Sequence, residues 1–303
     1  MTHLSAVRAA RLATVGLVAD RRERRQVPRP TRAPLRQRYL PRVRRPIFVL
    51  GAPRSGTSFL GRCVGSLPDV SYHFEPRLTK AVAREVYDGT WSRARASRVF
   101  RGYYAALLAA AGHGGLRFAE KDPENCFIVP FLADAFPDAV FLHVIRDGRD
   151  VAVSHAEQPW LAAESAGTGQ RGRGGMLWGP QARFWVEAER RREFAEVSHL
   201  ARCAWMWRRF TSSALEQLTS LPASRAIELR YEDIMRGPAA AAERVADFLE
   251  VTDPAARQAL HGGFGKARPD SVGRWRATLD ETGLADVQKH AGELLSQLGY
   301  VDR

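Results

Sequence analysis

A chain of 303 residues, 45% hydrophobic and 26% charged, can bury a sizeable core and is not globally disordered. Its three cysteines, Cys63, Cys126 and Cys203, fit no zinc spacing and leave one thiol over in any disulfide scheme, so a disulfide scaffold and a cysteine metal site are excluded. The net charge of +13 is local: residues 1–46 carry thirteen Arg against Asp20 and Glu23, which leaves the rest near neutral and no broad basic face for nucleic acid.

Taken in chain order, the sequence divides at residue 46 into a basic extension, 1–46, and a domain, 47–303. Apolar residues at helical spacing over 4–18 predict a short amphipathic helix. Residues 20–46, rich in Arg and Pro, read as an extended arm. This segment is expected to be a solvated leader, dispensable for turnover on a soluble acceptor. Its second reading is a peripheral contact with a phospholipid surface. No apolar run is long enough for a spanning helix, and free thiols fit a reducing, cytoplasmic setting.

Ile47–Leu50 is a short apolar run ended by Gly51, as in a buried parallel strand. A helix is expected over 56–67, and a second strand at Val70–Phe74. Residues 79–111 read as one Ala- and Arg-rich helix. Val140–Ile145 is another strand, followed by a helix over 147–157. Residues 158–180 contain six Gly and form a long loop. Residues 182–218 read as a helix carrying Trp185, Trp205 and Trp207. A strand at 226–229, a helix at 238–249, an irregular stretch at 261–280 and a helix at 284–298 complete the pattern. Strands alternating with helices predict an α/β fold with a central parallel sheet covered on both faces.

Gly51-Ala52-Pro53-Arg54-Ser55-Gly56-Thr57-Ser58 joins a strand to a helix, where backbone N–H groups and the helix dipole cradle an anion. The spacing matches a nucleoside-triphosphate P-loop, but Thr57 stands where that loop needs Lys. A P-loop kinase or NTPase is therefore the weaker reading. Arg54 supplies a cation on the loop itself. A second motif runs from Arg146 at a strand end to Ser154 eight residues on, a fork and a hydroxyl that can meet one phosphate.

Together the two motifs resemble the sulfotransferase superfamily, which uses 3′-phosphoadenosine 5′-phosphosulfate (PAPS). Pro53 to Thr57 looks like its 5′-phosphosulfate loop, and Arg146 to Ser154 like its 3′-phosphate motif. Glu120-Lys121-Asp122-Pro123-Glu124-Asn125 resembles a Lys-bearing segment of the Golgi and bacterial branches. Arg230-Tyr231-Glu232-Asp233 and Ser271-Val272-Gly273-Arg274-Trp275-Arg276 resemble two further stretches, the latter folding over the nucleotide. The Arg-Ser-Gly-Thr loop looks more like the tyrosylprotein-type branch than the cytosolic one. The likeness covers roughly residues 47–279.

This resemblance implies a P-loop-like αβα sandwich. It implies sulfuryl transfer from PAPS to a hydroxyl or amine, without metal. Arg54 is expected at the leaving phosphate and the transferring oxygens. Ser55, Gly56, Thr57 and Ser58 would hold the 5′-phosphate, and Arg146 and Ser154 the 3′-phosphate. Tyr231, Gly273, Arg274 and Trp275 complete the nucleotide set. Lys121 is one of only four Lys in a chain where Lys and Arg total 46, and is read as a second cation. Glu75 falls where the tyrosylprotein-type branch carries its base, with His73 as the other candidate; both are expected to reach the acceptor. His143 reads as a satisfied core histidine. Trp160, Trp178 and Trp185 would line an acceptor cleft suited to a carbohydrate, a lipid or an aromatic natural product. No nucleic-acid partner is expected, and nothing in the sequence sets an oligomeric state.

Overall fold

The computed structural model describes residues 3–23 and 41–300. Its centre is a five-stranded parallel sheet: β1 (Ile47–Leu50), β2 (Val70–Phe74), β3 (Arg117–Lys121), β4 (Val140–Ile145) and β5 (Ala226–Arg230), in the order β2-β3-β1-β4-β5. Period-two alternation splits the strands between two cores. Phe48, Leu50, Phe118 and Phe141 pack on one face; Ile47, Val49, Val70, Leu142 and Val144 pack on the other. After β3 the chain crosses to the other side of β1. That switch in order opens a crevice beyond the carboxyl ends of the strands.

Strand β3 was absent from the sequence reading. Its register puts Lys121 beside both Val49 and Phe74. The helix expected over 79–111 is two helices, α3 (Arg77–Tyr87) and α4 (Arg93–Ala111), after α2 (Thr57–Val64). They part at Ser92, whose hydroxyl caps α4 by accepting from the Arg95 N–H. Val129–Ala135 is α5 and Gly148–Ala156 is α6. The helix expected over 182–218 is likewise broken, into α7 (Arg191–Glu196) and α8 (His199–Leu218), where Ser198 caps α8. Among the described residues five α-helices follow β5: α9 (Tyr231–Arg236), α10 (Pro238–Phe248), α11 (Pro254–Phe264), α12 (Trp275–Thr278) and α13 (Glu281–Gln297).

The largest departure is at the start of the chain. α1 (Ala6–Glu23) is docked on α3 and α4 rather than solvated. Leu4 is buried, and its N–H donates to Glu85 Oε1 at 2.8 Å. Asp20 reaches the core and pairs with His73 Nδ1 at 2.7 Å. The signal was hidden because the pairing residues lie more than fifty positions away. The arm expected over 20–46 begins inside α1, which runs to Glu23, and its residues 24–40 lie outside the described residues. Among the described residues, no helix is long and apolar enough to cross a membrane.

Candidate active site

β1 feeds directly into the phosphate loop. Gly56, at φ 92°, ends the loop at the first turn of α2, and a Cβ there would meet the Tyr231 ring at 2.4 Å. Arg54 and Glu75 are non-glycine residues at positive φ, 72° and 44°. Such strained backbone gathers at functional positions because the surrounding structure must hold it in place.

The two motifs meet across the sheet. Arg54 Nε donates to Ser154 Oγ at 3.1 Å, and Arg146 Nη1 donates to the Arg54 carbonyl at 3.1 Å. The Arg146 guanidinium lies 4.6 Å over the Tyr231 ring and donates to the Ser271 carbonyl. Tyr231 and Ser271 share a hydroxyl hydrogen bond of 2.7 Å. The Ser55 hydroxyl and Arg146 Nε are buried without a hydrogen-bond partner among the described residues. The Arg146 donor lines the cavity beside a helix N-terminus and the Arg54 guanidinium, and fits a phosphate oxygen. Burial lowers the Arg54 pKa, so the site gains by receiving negative charge.

One cavity of about 700 Å³ gathers most of the expected residues. Arg54, Gly56, Thr57, Ser58, Glu75, Lys121, Arg146, Ser154, Tyr231 and Arg274 line it. Ser55, Gly273 and Trp275 are not part of its lining. Instead, the Gly273 and Trp275 N–H groups donate to Asp150 at 2.7 and 3.0 Å, and Arg149 lies over the Trp275 ring. Asp150 thus ties the C-terminal segment to the Arg146 motif, a role the sequence reading gave to no residue.

In the same cavity, Glu75 Oε1 takes a hydrogen bond from Lys121 Nζ, and Lys80 Nζ stands 3.3 Å from Oε2. Burial alone would raise the Glu75 carboxyl. Lys121 and then Lys80 outweigh it and hold the group down at about 2. Lys121 is itself lowered by burial, against the pull of Glu75. Lys80, Asp122 and Glu124 form a buried cluster beside the carboxylate, with Lys80 and Glu124 also lining the cavity, and the sequence reading missed it. The four-lysine count that singled out Lys121 also contained Lys80.

His73 does not share the cavity. Its ring is wholly buried, bonded to Asp20 and Ser71, and stacked on Phe118 at 4.7 Å. His73 and Glu75 were both expected to reach the acceptor, but only Glu75 lines the cavity, because it leaves the extended conformation of the strand that holds His73. His143 is buried as expected but not satisfied: neither ring nitrogen has a partner among the described residues, and burial lowers it to about 4. Trp160, Trp178 and Trp185 do line the cavity, with Phe74, Met176 and Phe210. Trp185 comes from a turn and not from the expected helix, and Trp205 packs away from the cavity against His290.

Comparison with known proteins gives a consistent result. Residues 46–255 match the model of the sulfotransferase family. Protein-tyrosine sulfotransferase A of Caenorhabditis elegans is 21% identical over 286 residues, 84% of this chain and 67% of that protein. An uncharacterized protein of Aquifex aeolicus is 31% identical over 134 residues, 39% of this chain and 18% of that protein. Sulfotransferase STF9 from Mycobacterium avium shares the fold at TM-score 0.55 and 13% identity, covering 96% of this chain and 84% of that one. Mouse sulfotransferase SULT7A1, solved with PAP, follows at TM-score 0.51 and 12% identity, covering 86% and 89%.

Proposed function

The chain belongs to the sulfotransferase family, and we propose that its cavity moves a sulfuryl group from PAPS to an acceptor hydroxyl or amine. The observation that carries this reading is the convergence of Arg54, Ser154 and Arg146 on one wall, with Glu75 and Lys121 in the same cavity. Bound PAPS supplies a sulfuryl group on a phosphate leaving group. The N–H groups of Gly56 and Thr57 and the hydroxyls of Thr57 and Ser58 hold the 5′-phosphate. Arg146 and Ser154 hold the 3′-phosphate. Arg54 faces the negative charge that grows on the leaving and equatorial oxygens. Glu75 takes the proton from the acceptor as its oxygen or nitrogen attacks sulfur and the sulfur–oxygen bond to the 5′-phosphate breaks, releasing PAP. Lys121 stands beside the same reacting atoms.

The aromatic half of the cavity favours an acceptor with a flat or apolar body: a sugar ring, a lipid or an aromatic natural product. We place the reaction in the cytoplasm, with α1 set for a peripheral lipid contact. Thr57 in place of a P-loop Lys leaves an NTPase without the cation it needs. The deciding experiment compares sulfated metabolites in cells with and without the gene, then incubates the purified protein with PAPS and the species that disappears. PAP release matched to acceptor sulfation is expected. ATP turnover with no use of PAPS would overturn the reading.

A further inference from the structure

Glu75 is held from two sides, by groups with different surroundings. Lys121 Nζ bonds Oε1 and lies 3.9 Å over the Phe74 ring. Lys80, buried on α3, stands 2.8 Å from Asp122 Oδ1, 3.3 Å from Glu75 Oε2 and 3.6 Å from Glu124 Oε1. Asp122 is fixed in turn by accepting the Glu124 N–H at 3.1 Å. Lys121 therefore serves one carboxylate and Lys80 serves three. Moving Lys121 toward an incoming anion leaves Glu75 still paired. Moving Lys80 takes from buried Asp122 the ammonium bonded to it at 2.8 Å, which is far costlier.

We propose that Lys80 is a positioning residue for the base: it fixes Glu75 Oε2, so that Oε1 is the oxygen presented to the acceptor. This rests on the reading of Glu75 as the base. The chemistry makes the division necessary. A carboxylate shared by two ammonium groups is a poor base, because both favour its ionised form. When Lys121 turns to the transferring group, Oε1 is vacated and its basicity recovers. The remaining cation, Lys80, then sets both the plane of the carboxylate and how strongly it holds a proton. The neutralising partner Asp122 keeps Lys80 from following Lys121.

The test reads the carboxylate directly and needs no acceptor. The carbon-13 signal of the Glu75 carboxyl is assigned by its loss in Glu75→Gln, and its titration is followed in the full chain with PAP bound. Lys80→Met is expected to raise the midpoint by more than one pH unit, and Lys80→Arg to keep it within half a unit of wild type. A midpoint unmoved in Lys80→Met overturns the proposal. If Lys80→Met does not fold, the contact between nitrogen-15-labelled Lys80 Nζ and the Glu75 carboxyl carbon is measured in wild type with PAP. Its persistence supports the proposal and its absence overturns it. Failure of the base reading appears separately, as normal turnover in Glu75→Gln.

Discussion

Arg54 and Ser154 are a hundred residues apart in the chain, yet Nε of one donates to the hydroxyl of the other at 3.1 Å. The contact exists because β1 and β4 are neighbours in parallel register, so the loops that follow them leave the sheet side by side. Each motif alone could be an ordinary turn with charged flanks. Joined, they bring the donors of both motifs to one wall. On the proposed reading a ligand with two phosphates engages both motifs, and one with a single phosphate engages one.

The pairing of the two motifs predicts the nucleotide response. PAP should raise the unfolding temperature, and adenosine 5′-monophosphate should raise it less. A ligand at a hundredfold its Kd stabilises by about 2.7 kcal/mol. Ser154→Ala should shrink the PAP shift while leaving the monophosphate shift nearly unchanged. Equal shifts from both ligands in thermal unfolding would sink the assignment of the 3′-phosphate to Arg146 and Ser154.

The base is tested by near-isosteric replacement. Glu75→Gln should bind PAP as wild type does and lose turnover by a factor on the order of 10²–10⁴. His73→Ala should keep its turnover once folded, because the ring is turned toward Asp20 and away from the cavity. Arg54→Ala should lose rate and also weaken PAPS binding, since it removes a contact to the phosphosulfate. Steady-state kinetics on the identified acceptor separate the three. Full activity in Glu75→Gln with a dead His73→Ala would reverse the roles.

The two motifs that meet at Arg54 and Ser154 were legible in the sequence because their signals are local. A loop of fixed length and an eight-residue spacing survive without knowledge of the fold. Strand β3 was not legible, since Arg117-Phe118-Ala119-Glu120-Lys121 is mostly charged. It is buried only because distant groups satisfy it: Tyr104 and Asn125 both donate to Glu120 Oε1, at 2.5 and 2.7 Å. Lys80 was lost inside an Ala- and Arg-rich helical run, and its acidic partners lie over forty residues on. Ser55, Gly273 and Trp275 sit within matching motifs, but a motif does not say which of its members face the cavity.

Docking of α1 leaves an outer face on which Val7, Val15 and Val18 are exposed, with Arg11 and Arg21 exposed on the same helix. Binding to vesicles rich in anionic phosphatidylserine is expected, with loss of binding at high salt and on vesicles of phosphatidylcholine alone. Flotation of the protein equally with both vesicle types, or with neither, would refute the electrostatic contact.

The inner face of α1 predicts a cost for removing it. Asp20→Ala leaves His73 Nδ1 without that partner in the core, which should destabilise by about 1–3 kcal/mol. Deleting residues 1–46 should cost more, because Leu4 and the Glu85 contact go too. The sequence alone had read this segment as a solvated leader, dispensable for turnover on a soluble acceptor. Urea unfolding that is unchanged in the truncated chain would restore the solvated-leader reading and show that α1 carries no stability.

Glu120 gives the last prediction. Burial, and then the nearby Asp122 charge, push its carboxyl up to about 8 from an ordinary 4.5. The folded state therefore favours the protonated form. Between pH 4.5 and 8 the unfolded chain has released this proton and the folded chain has kept it. Stability from this group is complete below pH 4.5 and is lost as pH rises toward 8, by up to about 1.4 kcal/mol per pH unit. Glu120→Gln removes the titration while keeping an oxygen to accept from Tyr104 and Asn125. All other groups titrate in both chains, so they largely cancel in the difference. The variant should gain on wild type steadily from pH 5 to pH 8, read by urea unfolding at several pH values. Parallel profiles would mean that Glu120 ionises freely in the folded protein, and that the environment between β3 and α4 is less apolar than its burial indicates.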